Sequence, residues 1–417
     1  MKSPLSICLI CSLSVSLVLF SAACNRGTDV TQSASEPEGE LPESLQSLEN
    51  LTVYPADVEP PYSIRFQQET TFEGGDVIAV DDSGRVLTTW GSSIYVYLPN
   101  GTHIETLGGR GEGPGEFVMG VSHLEIYSDQ LYAYDAQLHR MNIYSLETLS
   151  HSGTILLDPS GWNHIEELQG FRPSIPFYVR SDRFILMRFR QPMVAVDPLA
   201  NRSVRYYRMT IDGVVPEESD KIYEGTEAFF HSGTGGPMPL PIASPPLPSM
   251  RSHLMAVSED GSFFSSWSED FLVEIHDSDG AYVRSFYYPM EKSELNREDV
   301  LAHSYDRDGV SPALLRNLRN ADFHETWPAL AYMLIDDENR LWVATITEDE
   351  DHYLWYVVDE QGTLFAQFLW PGKRLRRHIE TNPIKMVKNG YLYAHETEEE
   401  TGLQQIVRYR IEMEGIE

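Results

Sequence analysis

The tripeptide Ser-His-Leu occurs twice, at 122–124 and 252–254, each time at the start of a short apolar run. Imidazoles presented by two equivalent segments are able to hold a metal ion or to move protons near neutral pH. A metal would need a third donor, which His231, His303, His324 or His378 could bring in from connecting segments; polar lining is the simpler role for His123 and His253. Lys373, Arg374, Arg376 and Arg377 form a basic cluster suited to a carboxylate or phosphate, or to internal pairing with the acidic run Glu398–Glu400. Asp81-Asp82, Asp260, Asp336-Asp337 and Asp359 follow apolar runs, where Asp bonds its own backbone in a turn. Calcium is the alternative for these oxygens, but EF-hand spacing is absent. The body carries no Gly-x-Ser-x-Gly elbow, His-Glu-x-x-His helix or Cys-His pair. The motifs imply no cofactor, with calcium or zinc on a central axis as the minor alternative.

The only cysteines are Cys8, Cys11 and Cys24, so nothing beyond position 24 can form a disulfide, a thiolate metal site or a cysteine nucleophile. Lys2 precedes an apolar run from Leu5 to Phe20, and small residues lead to Cys24. This layout is that of a secretory signal, and it resembles the bacterial lipoprotein signal, although Ser21 stands where Leu is commonest. The resemblance implies a signal peptide over 1–23, lipidation of Cys24, membrane attachment through that lipid, and a place in the cell envelope, at the outer membrane. An ordinary cleaved signal is the other reading. Residues 24–59 are rich in Ser, Glu, Pro and Thr, a composition that predicts a flexible tether. Net charge is −32 over 417 residues, and the acids are spread along the chain, which excludes nucleic acid as a partner. Such a surface suits high salt or a cationic partner.

Side chains of this kind need a scaffold. From residue 60 the pattern changes to short alternating runs rich in Tyr, Val, Ile, Phe and Trp, separated by Asp-Gly, Asn-Gly and Ser-Asp turns. These are strands, and they group into blade-sized units at 77–107, 124–156, 177–209, 254–288, 331–370 and 384–411. A four-stranded meander cannot bury both faces, whereas radial packing of several can. The chain is therefore expected to be all-β: a six-bladed β-propeller of four-stranded blades over 60–417. The last unit stops after three strands and YSIRFQQETTF (62–72) has no blade of its own, so this N-terminal strand is expected to complete the last blade.

GGRGEGPGEF (108–117) separates the first unit from the second. A phosphate loop would need a following helix and a terminal Lys-Ser/Thr. A strand-like segment follows instead, and Glu112 and Glu116 oppose phosphate, so the stretch reads as a glycine-dependent bend. With the strands after it, this stretch resembles an NHL repeat. The resemblance gives Gly113, Gly115, Phe117, Asp135 and Arg140 structural places in the blade motif, Asp135 and Arg140 bracing it; Ser128-Asp129 departs from the expected Asp-Gly. The body as a whole resembles exported six-bladed propeller lipoproteins of Bacteroidota-type bacteria. Two stretches break the rhythm: 225–249, expected as a loop, and 291–327, expected to carry short helices between blades four and five, the first capped by Ser293. Both are candidates to cover a channel mouth. The leading function is a non-catalytic binding module for a protein, peptide or glycan at a propeller mouth, with His123, His253, Arg374, Arg376 and Arg377 as candidate contacts. The alternative is a metal-dependent hydrolase or lyase with its site on the axis.

Overall fold

The computed structural model describes residues 45–415 except 76, 181–183, 193–200, 220, 229, 236–239, 245–250, 306–318, 320–322, 373–382 and 399. The first strands are β1 (Leu51–Val53) and β2 (Tyr62–Glu73). Sheets then follow in chain order. The first holds β3 (Ile78–Val80), β4 (Val86–Trp90), β5 (Ser93–Tyr97) and β6 (His103–Gly108). The second holds β7 (His123–Tyr127), β8 (Gln130–Asp135), β9 (Arg140–Ser145) and β10 (Ser150–Leu156). The third holds β11 (Arg172–Val179), β12 (Phe184–Arg190), β13 (Asn201–Thr210) and β14 (Lys221–Ala228). A hairpin of β15 (Phe230–Gly235) and β16 (Leu240–Ser244) precedes the fourth sheet, β17 (His253–Val257), β18 (Phe263–Trp267), β19 (Phe271–His276) and β20 (Tyr282–Tyr288). Helix α1 (Arg297–Tyr305) leads to the fifth, β21 (Leu330–Ile335), β22 (Leu341–Ile346), β23 (His352–Val358) and β24 (Leu364–Pro371). The sixth is β25 (Ile384–Lys388), β26 (Tyr391–Thr397) and β27 (Gln404–Gly415), with β2 as its fourth strand.

The protein is all-β with propeller-like sheets, because each meander is apolar on both faces and buries them against its neighbours. Leu87 and Phe117 pack with Leu124 and Leu131 between the first and second sheets. Tyr132 and Met141 meet Phe177 and Phe189 between the second and third. Leu186 and Tyr206 meet Phe263 between the third and fourth. Phe264 and Phe271 meet Val343 and Tyr356 between the fourth and fifth. Trp342 and Trp355 meet Ile384 and Leu392 between the fifth and sixth. The sixth returns to the first through Phe72, Tyr393, Val80 and Val86.

Strands β2 and β27 pair antiparallel from Tyr62↔Gly415 to Glu73↔Gln405, so both ends of the body share one sheet. A parallel contact, Tyr62↔Ala366, joins β2 to β24. The turns have a repeated basis. The carboxylate of Asp81 accepts from the backbone of Ser83 and Arg85 at 3.0 and 2.8 Å, and Asp336 does the same for Glu338 and Arg340. Ser128 and Asp129, in place of Asp-Gly, both take positive φ (48° and 58°), the geometry of a two-residue hairpin turn that Asp tolerates.

Three expectations need correction. Residues 45–59 are not part of a tether. Leu45 is buried, and β1 pairs parallel with the outer strand β20 (Leu51↔Ser285 to Val53↔Tyr287). Tyr54 stacks on Tyr288 at 4.9 Å and donates to the Gln361 carbonyl at 3.1 Å. Local composition cannot reveal this order, because the unpaired backbone of an edge strand in another sheet supplies it. Second, 225–249 is not simply a loop: it contains the end of β14 and the β15–β16 hairpin. Third, α1 is capped by Asn296, whose side chain accepts from the Glu298 amide at 3.0 Å, rather than by Ser293. Among the described residues no helix is long and apolar enough to cross a membrane.

Candidate binding site at the axis

The first strands β3, β7, β11, β17 and β25 end around a cavity of about 500 Å³, with Asp81, Glu125, Tyr178, Arg180, Glu259 and Lys388 in its wall. Strand alternation decides what β7 presents. Leu124 and Ile126 turn toward the first sheet, and His123 and Glu125 turn toward the third. There they meet β11, the edge strand of its sheet among the described residues. His123 donates from Nε2 to the Phe177 carbonyl at 3.1 Å, and a carboxyl oxygen of Glu125 accepts from the Val179 amide. Two polar side chains of one sheet thus complete the edge of the next.

Burial dominates the electrostatics of both. It pushes the Glu125 carboxyl up to about 8, against the opposing pull of the Val179 amide and the Lys388 ammonium. It pushes His123 down to about 4, with the Phe177 carbonyl offsetting part of the effect. Glu125 keeps a quarter of its side-chain surface open. At neutral pH it is a carboxylic acid facing a cavity, able to donate as well as accept. Around it, Asp81 is tied to Arg85 at 2.5 Å, Lys388 to Asp82 at 2.8 Å, and Arg180 to the Ser278 carbonyl at 2.6 Å. Burial also raises the Tyr178 phenol far above its ordinary range, so it is a neutral hydroxyl.

His123 and His253 do not form a pair. His123 packs edge-on against Phe177 in the core between the second and third sheets. His253 shares a 2.5 Å hydrogen bond with the Tyr223 hydroxyl on the opposite side of the third sheet, among residues packed on the fourth, and burial lowers it to about 4. From the second and the fourth sheets the two histidines approach opposite sides of the third, a distinction invisible in the tripeptide. Among the described residues no three His, Cys, Asp or Glu side chains are grouped to hold a metal. His324 is exposed, and the side chains of His231, His303 and His378 lie outside the described ones, as do Cys24, Arg374, Arg376 and Arg377.

In the glycine stretch, the Glu116 carboxylate accepts from the Gly113 amide at 2.8 Å and sits where a Cβ on Gly111 would collide, so the bend is filled by its own anion. Arg140 donates to the carbonyls of Glu112, Gly113 and Glu116 at 2.9, 2.9 and 2.8 Å. Asp135, fully buried, accepts from the amides of Gln137 and Leu138. Gly115 adopts φ 74° and gives its carbonyl to Tyr144, while Phe117 is fully buried. Glu125 itself escaped the sequence reading. Its signal was a lone acid inside the apolar run His123–Tyr127, two residues from a singled-out histidine and therefore on the same face.

Residues 75–170 match a family model described as a six-bladed β-propeller (DUF5128). No curated protein matches. Among solved structures, a protein of Bacteroides fragilis provisionally named as exported is 14% identical, covering 87% of this chain and 99% of its own at a TM-score of 0.47. A DUF4221 family member from Bacteroides vulgatus is 9% identical, with 85% and 99% covered at 0.47. A gluconolactonase from Xanthomonas campestris is 12% identical, with 86% and 97% covered at 0.40.

Proposed function

We propose that the protein is a six-bladed β-propeller lipoprotein of the cell envelope, exported by its N-terminal signal and anchored through Cys24, that binds a peptide, protein or glycan ligand without catalysis. The segment after Cys24 serves as its tether. The observation that carries the binding role is the axial cavity of about 500 Å³, which brings together polar groups from the ends of several first strands. Its hydrogen-bonding groups are oriented by fixed partners: Glu125 by the Val179 amide and Lys388 by Asp82. That fixed arrangement of donors and acceptors suits recognition of a ligand's polar groups.

The test is a screen of the mature domain against peptide and glycan arrays, repeated with Glu125→Gln and Lys388→Ala. The reading requires at least one ligand retained by the wild type and weakened tenfold or more by one of the two changes. Ligands bound equally by all three proteins would refute the axial site. The anchor is tested separately, by loss of incorporated fatty acid in Cys24→Ala.

A further inference from the structure

The sequence shows one contiguous basic cluster, but the fold assembles another from residues far apart in the chain. In the third sheet Arg172 on β11 lies directly opposite Arg190 on β12. Arg190 in turn lies opposite Val204, two residues from Arg202 on β13, and Arg202 lies opposite Glu227 on β14. Arg188 shares the face of Arg190 by strand alternation. Among the described residues, the guanidiniums of Arg188, Arg190 and Arg202 therefore gather at one end of one face around the Glu227 carboxylate, with Arg172 opposite Arg190 at the sheet edge. Glu227 takes Arg188 at 3.1 Å and Arg202 at 2.9 Å. Arg188 is further committed to the Ile175 carbonyl at 2.7 Å, where β11 bulges away from β12. Arg190 forms no hydrogen bond or ion pair among the described residues, although it is only partly exposed.

This balance is unusual in a chain of net charge −32, where an unneutralised cation has carboxylates to choose from. Like charges placed opposite each other on a sheet repel. A guanidinium cannot relieve the repulsion by shedding its proton. Burial and the neighbouring Arg202 and Arg188 all push Arg190 down, with Glu227 opposing. Among the described residues positive charge exceeds negative here, which favours a further anion, and guanidinium forks match planar carboxylates and tetrahedral oxyanions alike. We propose that Arg190, with Arg172, Arg188 and Arg202 around it, is an oxyanion site that takes a carboxylate, sulfate or phosphate group. The site is separate from the axial cavity, whose wall includes none of these arginines.

The experiment titrates the mature domain at pH 7 with sodium sulfate, sodium phosphate and sodium galacturonate, each against sodium chloride of equal ionic strength, by calorimetry. The three arms distinguish tetrahedral oxyanions from a sugar carboxylate. Wild type should bind at least one of them, Arg190→Gln should weaken that binding tenfold or more, and Glu227→Gln should tighten it several-fold by removing the competing carboxylate. In chloride, Arg190→Gln should melt at or above the wild-type temperature, since a repelled cation has been removed. Glu125→Gln should titrate as wild type, so failure of the axial reading leaves this one standing. The proposal is overturned if no anion gives heat beyond chloride, if Arg190→Gln binds as wild type does, or if Arg190→Gln lowers the melting temperature in chloride, which would make Arg190 a structural cation.

Discussion

With its carboxyl pushed up to about 8, Glu125 is neutral at pH 7 in the folded protein and ionised in the unfolded chain. Stability from the neutral form is complete below the ordinary carboxylate value of 4.5 and is lost as pH climbs toward 8. The slope is at most about 1.4 kcal/mol per pH unit. Glu125→Gln should thus gain on wild type progressively between pH 5 and pH 8 in urea unfolding; an advantage independent of pH would contradict the assignment. His123 has the opposite sign. Its pKa is lowered from 6.5 to about 4, so its stability is complete above 6.5 and is lost as pH falls through that interval. His123→Gln, which can still donate to the Phe177 carbonyl, should flatten this acid-side loss, while His123→Ala should also cost about 1 kcal/mol for the hydrogen bond. Neither shift is legible in the sequence, because both arise from burial against a strand about fifty residues away.

At the scale of the element, the connection between the first and second sheets depends on Arg140 as well as on its glycines. Three carbonyls converge on one guanidinium, so Arg140→Met should cost about 2–4 kcal/mol in urea unfolding. Arg140→Lys should recover only part of it, since an ammonium lacks the planar fork. This connection was legible: GGRGEGPGEF announces a bend, and Asp135 and Arg140 flank the turn that reaches back to it. The Ser128-Asp129 turn was legible too, but not its two positive φ values, which occur without glycine. Strand β1 was not legible at all. Leu51-Thr52-Val53 has neither length nor alternation, and its order comes from the exposed edge of β20. The arginine row of the third sheet was hidden for a related reason, since β11, β12 and β13 bring it together only in register.

For the molecule as a whole, closure rests on the N-terminal strand. The need for it was visible in the sequence, where the last unit lacks a strand and 62–72 lacks a sheet. Removing residues 1–61 takes away β1 and the Tyr54 stack but leaves β2 paired with β27. That variant should melt cooperatively at a lower temperature. Removing residues 1–74 deletes β2, strips the long partner of β27 and takes Phe72 from the core between the sixth and first sheets. Calorimetry should then show loss of a single cooperative transition; an unchanged melt would mean that the ring closes without its seam.

The way the N-terminal segment lies across the outer strands also decides how the molecule bears tension. A pull on the chain ahead of residue 45 reaches the β1–β20 contact before the seam, and there it acts along the strands, loading a few parallel hydrogen bonds in shear. That short latch should slip first, as a sacrificial link, while the long antiparallel seam beyond it keeps the ring shut.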